Sequence, residues 1–287
     1  LADPLLDLRL FGNRAFSTAL ATNTLSFFVG FGILLFIAQY LQLVLGLSPL
    51  QAGLWMLPSS VGFIVGSMLA PVLVRRAHPA LVMAAGLVVA AVGFGLLTQL
   101  GGAAGLAVLV AGSVVFSLGL APVDTLAADL TVGAAPPERA GAASALSETS
   151  SEFGGALGIA TLGSVGTAIY RSQVTDTLPA GVPPQAAEAT RDTLGGAVAA
   201  ASQLPDRLGA ALLDTARAAF IQGLHLTFAI SAALAVGIAI LVVVLLRGVR
   251  ASSQPEGQPG PRQDGPCAGK VGAVKVPGHA VEARAGS

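Results

Sequence analysis

Four carboxylates, Asp124, Asp129, Glu148 and Glu152, stand in or beside segments otherwise so apolar that each needs a physical reason to be there. A charged group in hydrocarbon costs about 3 kcal/mol or more, so carboxylates in that setting are candidate sites for protons or cations. Glu148 and Glu152 are spaced by four, which puts them on one face of an α-helix. Two carboxylates that close cannot both carry charge easily in a low dielectric, so they would hold a proton that an arriving cation can displace. That exchange couples a cationic solute to proton flow and needs no bond-making chemistry. Asp124 and Asp129 follow Pro122 at the end of an apolar run, where the helix dipole disfavours negative charge. Either they pair with Arg75, Arg76 or Arg139 and tie helix ends together, or they form a gate or the point where protons enter. His225, about a turn inside a later apolar run, is open to the same two readings, structural residue or proton path.

Everything about the glutamates depends on where their helix starts. If Thr149 caps it, Thr149-Ser150-Ser151-Glu152 is a capping box and both glutamates lie at the membrane surface. If it starts at Pro137, with Glu138 favoured in the first turn, Glu148 is about eleven residues in, or roughly 16 Å deep. Nothing between Gly141 and Ser151 breaks a helix strongly, and Ala142, Ala143, Ala145 and Leu146 favour continuation. The longer helix is the expectation.

Of the 287 residues, 54% are apolar and 10% charged, with a mean hydropathy of +0.77. A water-soluble chain carries roughly twice that share of charge, so the solvent that fits is a bilayer. Lys+Arg and Asp+Glu number 15 each, which gives no basic footprint for a nucleic acid. Cys267 is the single cysteine and forms neither an internal disulfide nor a cysteine metal site. With three histidines and no His-Glu-x-x-His run, no metal or cofactor is expected. Gly163-Ser164 lacks the glycine register of a serine nucleophile, so pairing Ser164 with His225 as a protease is a poor reading and no enzyme is expected.

Charge-free runs predict six transmembrane helices near 18–44, 52–74, 79–100, 103–124, 141–170 and 217–246. Gly46-Leu47-Ser48-Pro49 turns the first into the second. Residues 1–14 read as a connector whose Leu1 is not expected to be a natural start, since Asp3, Asp7 and Arg9 interrupt any signal-like run. An outer loop spans 171–216, with a short amphipathic helix after Pro183-Pro184 that lies on the membrane or lids the bundle. The Gly- and Pro-rich tail, 251–287, is expected to be disordered. Arg9, Arg14, Arg75, Arg76, Arg139, Arg247 and Arg250 fall on one side, while the arginines of the outer loop are balanced by acids. The positive-inside rule therefore puts both termini in the cytoplasm. Tyr40, Trp55 and Tyr170 near the outer ends fit an interfacial belt. Asn23, Gln39 and Gln42 read as interhelical glue, and Phe27, Phe28, Phe31 and Phe36 as packing or as ring faces for a cation.

Three stretches together resemble the C-terminal half of a fourteen-helix drug:proton antiporter of the major facilitator superfamily, the group of the QacA-type quaternary-ammonium exporters. They are Pro4-Leu5-Leu6-Asp7-Leu8-Arg9-Leu10-Phe11 before the first span, Gly66-Ser67-Met68-Leu69-Ala70-Pro71 leading to Arg75-Arg76, and the long run from Pro136 to Gly158. The second is similar to a degenerate copy of the superfamily's cytoplasmic loop motif, with its acidic residue replaced by Ala70 and Pro71. In those exporters the corresponding helix carries acidic residues four apart, linked to cation recognition and proton coupling, which the resemblance maps onto Glu148 and Glu152. It further implies an all-α fold of 3+3 inverted repeats that forms one half of a major facilitator transporter. The glutamate helix would face a missing N-terminal half or a partner half.

The implied function is proton-coupled efflux of amphipathic organic cations across a bacterial plasma membrane, with lipid, protons and small organic cations as partners. An uptake permease of the same fold and a non-transporting six-helix scaffold or assembly partner stay open at this stage.

Overall fold

The computed structural model describes residues 11–102 and 104–246. The connector motif before Phe11, Arg247, Arg250 and the tail lie outside them. Helix α1 runs Arg14–Gln39 and closes in one π-helical turn, Tyr40–Val44. Then come α2 (Pro49–Val74), α3 (Pro79–Leu97) and α4 (Gly105–Gly133). A 3-10 turn, Pro137–Arg139, leads into α5 (Ala140–Thr177). Two short helices, α6 (Pro184–Asp192) and α7 (Leu194–Ala201), precede α8 (Asp206–Leu246). Six of these, α1 to α5 and α8, are long and apolar enough to cross a membrane. Among the described residues every regular element is helical.

Local chemistry sets the helix ends. Asn13 caps α1, its Oδ1 accepting from the Ala15 N–H at 3.0 Å. Ser48 and Gln51 form a reciprocal capping box, and Pro49 supplies the first position of α2. Gly46 just before them takes φ +69°, a backbone that a side chain would strain. His78 caps α3 through Nδ1, which accepts from the Ala80 N–H at 3.2 Å.

Two spans differ from expectation in length. Helix α4 continues through Pro122 to Gly133, where the sequence suggests an end near Asp124. Pro122 removes the donor for the Leu118 carbonyl four residues back, and that carbonyl packs against Gly66 of α2. A close glycine therefore covers the defect, and the helix need not stop. Helix α8 begins at Asp206, eleven residues before the span expected from 217, because the Ala-rich segment from Leu208 to Ala219 is already helical.

Glycines decide the crossings. A Cβ at Gly154 or Gly158 of α5 would run into the Thr24 and Phe28 carbonyls of α1. A Cβ at Gly62 or Gly66 of α2 would meet the Val114 and Leu118 carbonyls of α4, at 3.1 and 2.7 Å. In each case small residues four apart on the second helix of one set of three admit the backbone of the first helix of the other. Exchanging α1–α3 for α4, α5 and α8 interchanges the two crossings, as inverted repeats require. Phe94 of α3 stacks on Phe116 of α4 at 5.0 Å between centroids, beside the close approach of Gly93 to Phe116.

Outward, Leu54, Leu57, Val61, Ile64 and Met68 of α2 are exposed, as apolar surface is where the solvent is lipid or another transmembrane bundle. The three aromatics near the outer ends of their spans differ in burial. Tyr40 and Tyr170 are buried, and only Trp55 is exposed. The Tyr170 hydroxyl donates to the Thr190 carbonyl at 2.7 Å, so that side chain holds α6 onto α5.

Candidate functional site: a glutamate face and an aromatic cavity

The glutamate helix takes the longer of its two possible forms. Thr149 lies inside α5, and its Oγ1 donates to the Ala145 carbonyl at 2.8 Å, so it caps nothing. Glu148 and Glu152 are eight and twelve residues past Ala140, roughly 12 and 18 Å along the axis at 1.5 Å per residue. Both are exposed on the same side of α5.

What turns them that way is on the opposite side. Ala143, Ser147, Ser151, Gly154 and Gly158 form the buried face of α5. Buried Asn23 of α1 donates through Nδ2 to the Ser147 carbonyl at 3.1 Å and to the Ser151 Oγ at 2.8 Å. Ser151 in turn donates to the Ser147 carbonyl at 3.0 Å. Each serine immediately precedes a glutamate, so the amide that grips Ser147 and Ser151 sets the rotation that sends Glu148 and Glu152 outward. The glue reading of Asn23 is the one the geometry carries.

One turn along α1, Ser26 looks toward α4 instead. It lines a cavity of about 200 Å³ between α1, α2 and α4, together with Phe27, Phe31, Phe63, Phe116 and Asp124. Phe27 and Phe31 stack at 5.6 Å. Asp124 lies nine residues before the end of α4, more than two turns inside a helix that the sequence suggests would end near it. Among the described residues no ion pair joins it to Arg75 or Arg76, so the clasp expected with those two arginines is not seen. Its Oδ1 and the Ser26 Oγ are fully buried with no hydrogen-bond partner. The neighbouring Ser59 and Ser117 hydroxyls satisfy each other at 2.7 Å, joining α2 to α4.

The remaining candidates are dispersed. Asp129 is exposed five residues further along α4. His225 of α8 donates from Nε2 to the Leu100 carbonyl at 2.6 Å, beside the α3–α4 connection. Asp124 is nineteen residues from the start of α4 at that connection, roughly 29 Å along the helix, so His225 and Asp124 sit at different levels of the bundle. Ser164 donates to the Ala160 carbonyl at 2.6 Å, so it too is bonded within its own helix. Gly66 is a packing residue against α4, while Arg75 and Arg76 are exposed at the α2–α3 turn. Gln39 lines a larger cavity of about 360 Å³ beneath α7, with Phe36, Thr167, Tyr170, Leu194 and Phe220. Phe36 packs on Phe220 at 6.2 Å and belongs to the core. The outer-loop segment after Pro183-Pro184 forms two helices and not one, because the chain breaks at Thr193, whose backbone is extended and whose Oγ1 caps α7 by accepting from Gly196.

Six membrane helices built as two interlocked sets of three, with carboxylates at and between them, define a polytopic membrane protein of transporter type. The Major Facilitator Superfamily profile matches residues 2–159, and the chain belongs to that superfamily of transporters. It is similar to the "Multidrug efflux pump LfrA" of Mycolicibacterium smegmatis, 41% identical over 86% of this chain and 48% of that protein. The "Tetracenomycin C resistance and export protein" of Streptomyces glaucescens is 31% identical over 90% of this chain and 49% of its own length. The "Methyl viologen resistance protein SmvA" of Salmonella typhimurium is 36% identical over 76% and 44%. The chain thus spans about half the length of these relatives. The fold is also that of a solved bacterial homolog of the human lysosomal transporter Spinster in its inward-facing, unoccupied conformation. There the TM-score is 0.64 at 18% identity, over 86% of this chain and 51% of that one.

Proposed function

We propose that this chain is the C-terminal half of a fourteen-helix multidrug exporter that uses inward proton flow to expel amphipathic organic cations. The observation that carries the reading is the pair Glu148 and Glu152, set side by side on the exposed face of α5 while Asn23 holds the other face. A second half packed against that face would enclose both carboxylates in a low dielectric, where they bind one cation or a proton in turn. Three relatives named for drug export or resistance support the direction of transport, and methyl viologen, after which one of them is named, is itself an organic cation. Arg75 and Arg76 at the α2–α3 turn support a cytoplasmic placement of that end, and so of both termini, in the plasma membrane of a bacterium.

The test is proton-driven ethidium transport by the full-length protein in everted vesicles. Replacing Glu148→Gln and Glu152→Gln together should lower the flux by at least about tenfold, the size expected when a coupling group is lost. Flux that persists at the unaltered rate in the double variant would refute the coupling role. Accumulation in the opposite direction would make the protein an uptake permease.

A further inference from the structure

We infer that the cavity between α1, α2 and α4 is a second cation site, in which Asp124 and Ser26 hold the charged head of an organic cation against phenylalanine rings. The site rests on the export reading above, but it uses other residues than Glu148 and Glu152. Its floor is buried: Phe116 and Ser117 of α4 and Ser26 of α1. Its rim is exposed at Phe31 and Phe63. Into this space faces the Asp124 Oδ1, wholly buried and without a hydrogen bond of good geometry, beside the Ser26 hydroxyl. A buried acceptor left so is expensive, and a cation seated beside it removes the cost.

The walls say which cation. A calcium-like ion takes six to eight oxygen ligands, and the few hydroxyls beside Asp124 fall short of that number in a wall made largely of phenylalanine and leucine. Four phenylalanines, Phe27, Phe31, Phe63 and Phe116, instead line the space, and aromatic rings attract a weakly hydrated quaternary nitrogen. A volume of about 200 Å³ admits an ammonium group with one attached ring and leaves the rest of a larger drug beyond the rim. Ser26 and Asn23 are three residues apart on α1, so the helix that grips the glutamate helix also floors this cavity.

The probe is benzyltrimethylammonium, titrated by saturation-transfer NMR onto the full-length transporter in nanodiscs. Asp124→Asn should weaken binding by about tenfold or more, about 1.4 kcal/mol, with Asp124→Glu within about threefold of the unaltered protein. The Glu148→Gln, Glu152→Gln double variant should lose only the glutamate-dependent binding and keep the part that Asp124→Asn removes. Comparable thermal melting of Asp124→Asn and Asp124→Glu separates lost binding from lost folding. Affinity unchanged by Asp124→Asn would overturn the second site alone. Binding abolished by the double glutamate variant and kept by Asp124→Asn would also overturn it and leave the export reading intact. If the unaltered protein binds the probe nowhere, this site and cation recognition by the export reading fall together.

Discussion

The Asn23 side chain donates to the Ser151 hydroxyl at 2.8 Å across the contact of α1 with α5, one residue from Glu152. A carboxamide on one helix thus fixes the rotation of another, and with it the direction in which two carboxylates point. The bond is buried and lies where Gly154 lets the backbones touch, so water cannot replace it.

Replacing Asn23→Ala should therefore cost about 1 kcal/mol, the usual scale for a hydrogen bond between membrane helices, read as a lower melting temperature of the purified full-length protein. Because the glutamates lose their orientation, ethidium flux should fall by a larger factor than stability alone predicts. Asn23→Gln, which keeps the amide and overfills the site, should fail in the same way. Unaltered melting and flux in Asn23→Ala would remove the positioning role.

The glycine crossings predict a sharp contrast. Gly158→Ala places a methyl against the Phe28 carbonyl, and Gly66→Ala places one against Leu118, so each should destabilise by about 1–3 kcal/mol through overpacking. Gly237→Ala on α8 meets nothing within 4 Å and should be neutral or stabilising by about 0.5–1 kcal/mol through helix propensity. Thermal unfolding followed by size-exclusion chromatography compares the three, and equal behaviour would refute backbone contact as the reason for these glycines.

His225 offers a test of structure against proton transfer. Its Nε2 hydrogen bond to Leu100 ties α8 to the α3–α4 connection. His225→Gln should lower the melting temperature by a few degrees, in keeping with about 1 kcal/mol for one hydrogen bond, and leave the pH profile of efflux in place. A shifted or flattened profile would return His225 to the proton path.

Much of the fold is written in hydropathy. Runs without charge mark six helices, since an uncompensated backbone or charge in lipid is too costly to leave room for alternatives. Ser48-Pro49 and His78-Pro79 announce helix starts in their own chemistry. Helix ends were less legible. Pro122 reads as a stop, yet α4 passes through it because Gly66, more than fifty residues earlier, packs against the freed carbonyl. Thr193 reads as an ordinary helix residue, yet it takes an extended backbone and divides α6 from α7.

The site divides along the same line. The spacing of Glu148 and Glu152 fixes a common face from the period of the helix alone. Which way that face points required Asn23, 124 residues before Ser147, and no local pattern carries that information. Asp124 was legible as a costly carboxylate and misplaced as a helix-end partner of Arg75 or Arg76. Its neighbours Ser26, Phe27, Phe63 and Phe116 come from three helices that meet only in the packed bundle. Composition and period thus determined, from the sequence alone, that the chain carries six membrane helices and paired carboxylates. Tertiary packing decided which carboxylates are enclosed and by what, because those contacts join helices whose separation along the chain leaves no periodic trace.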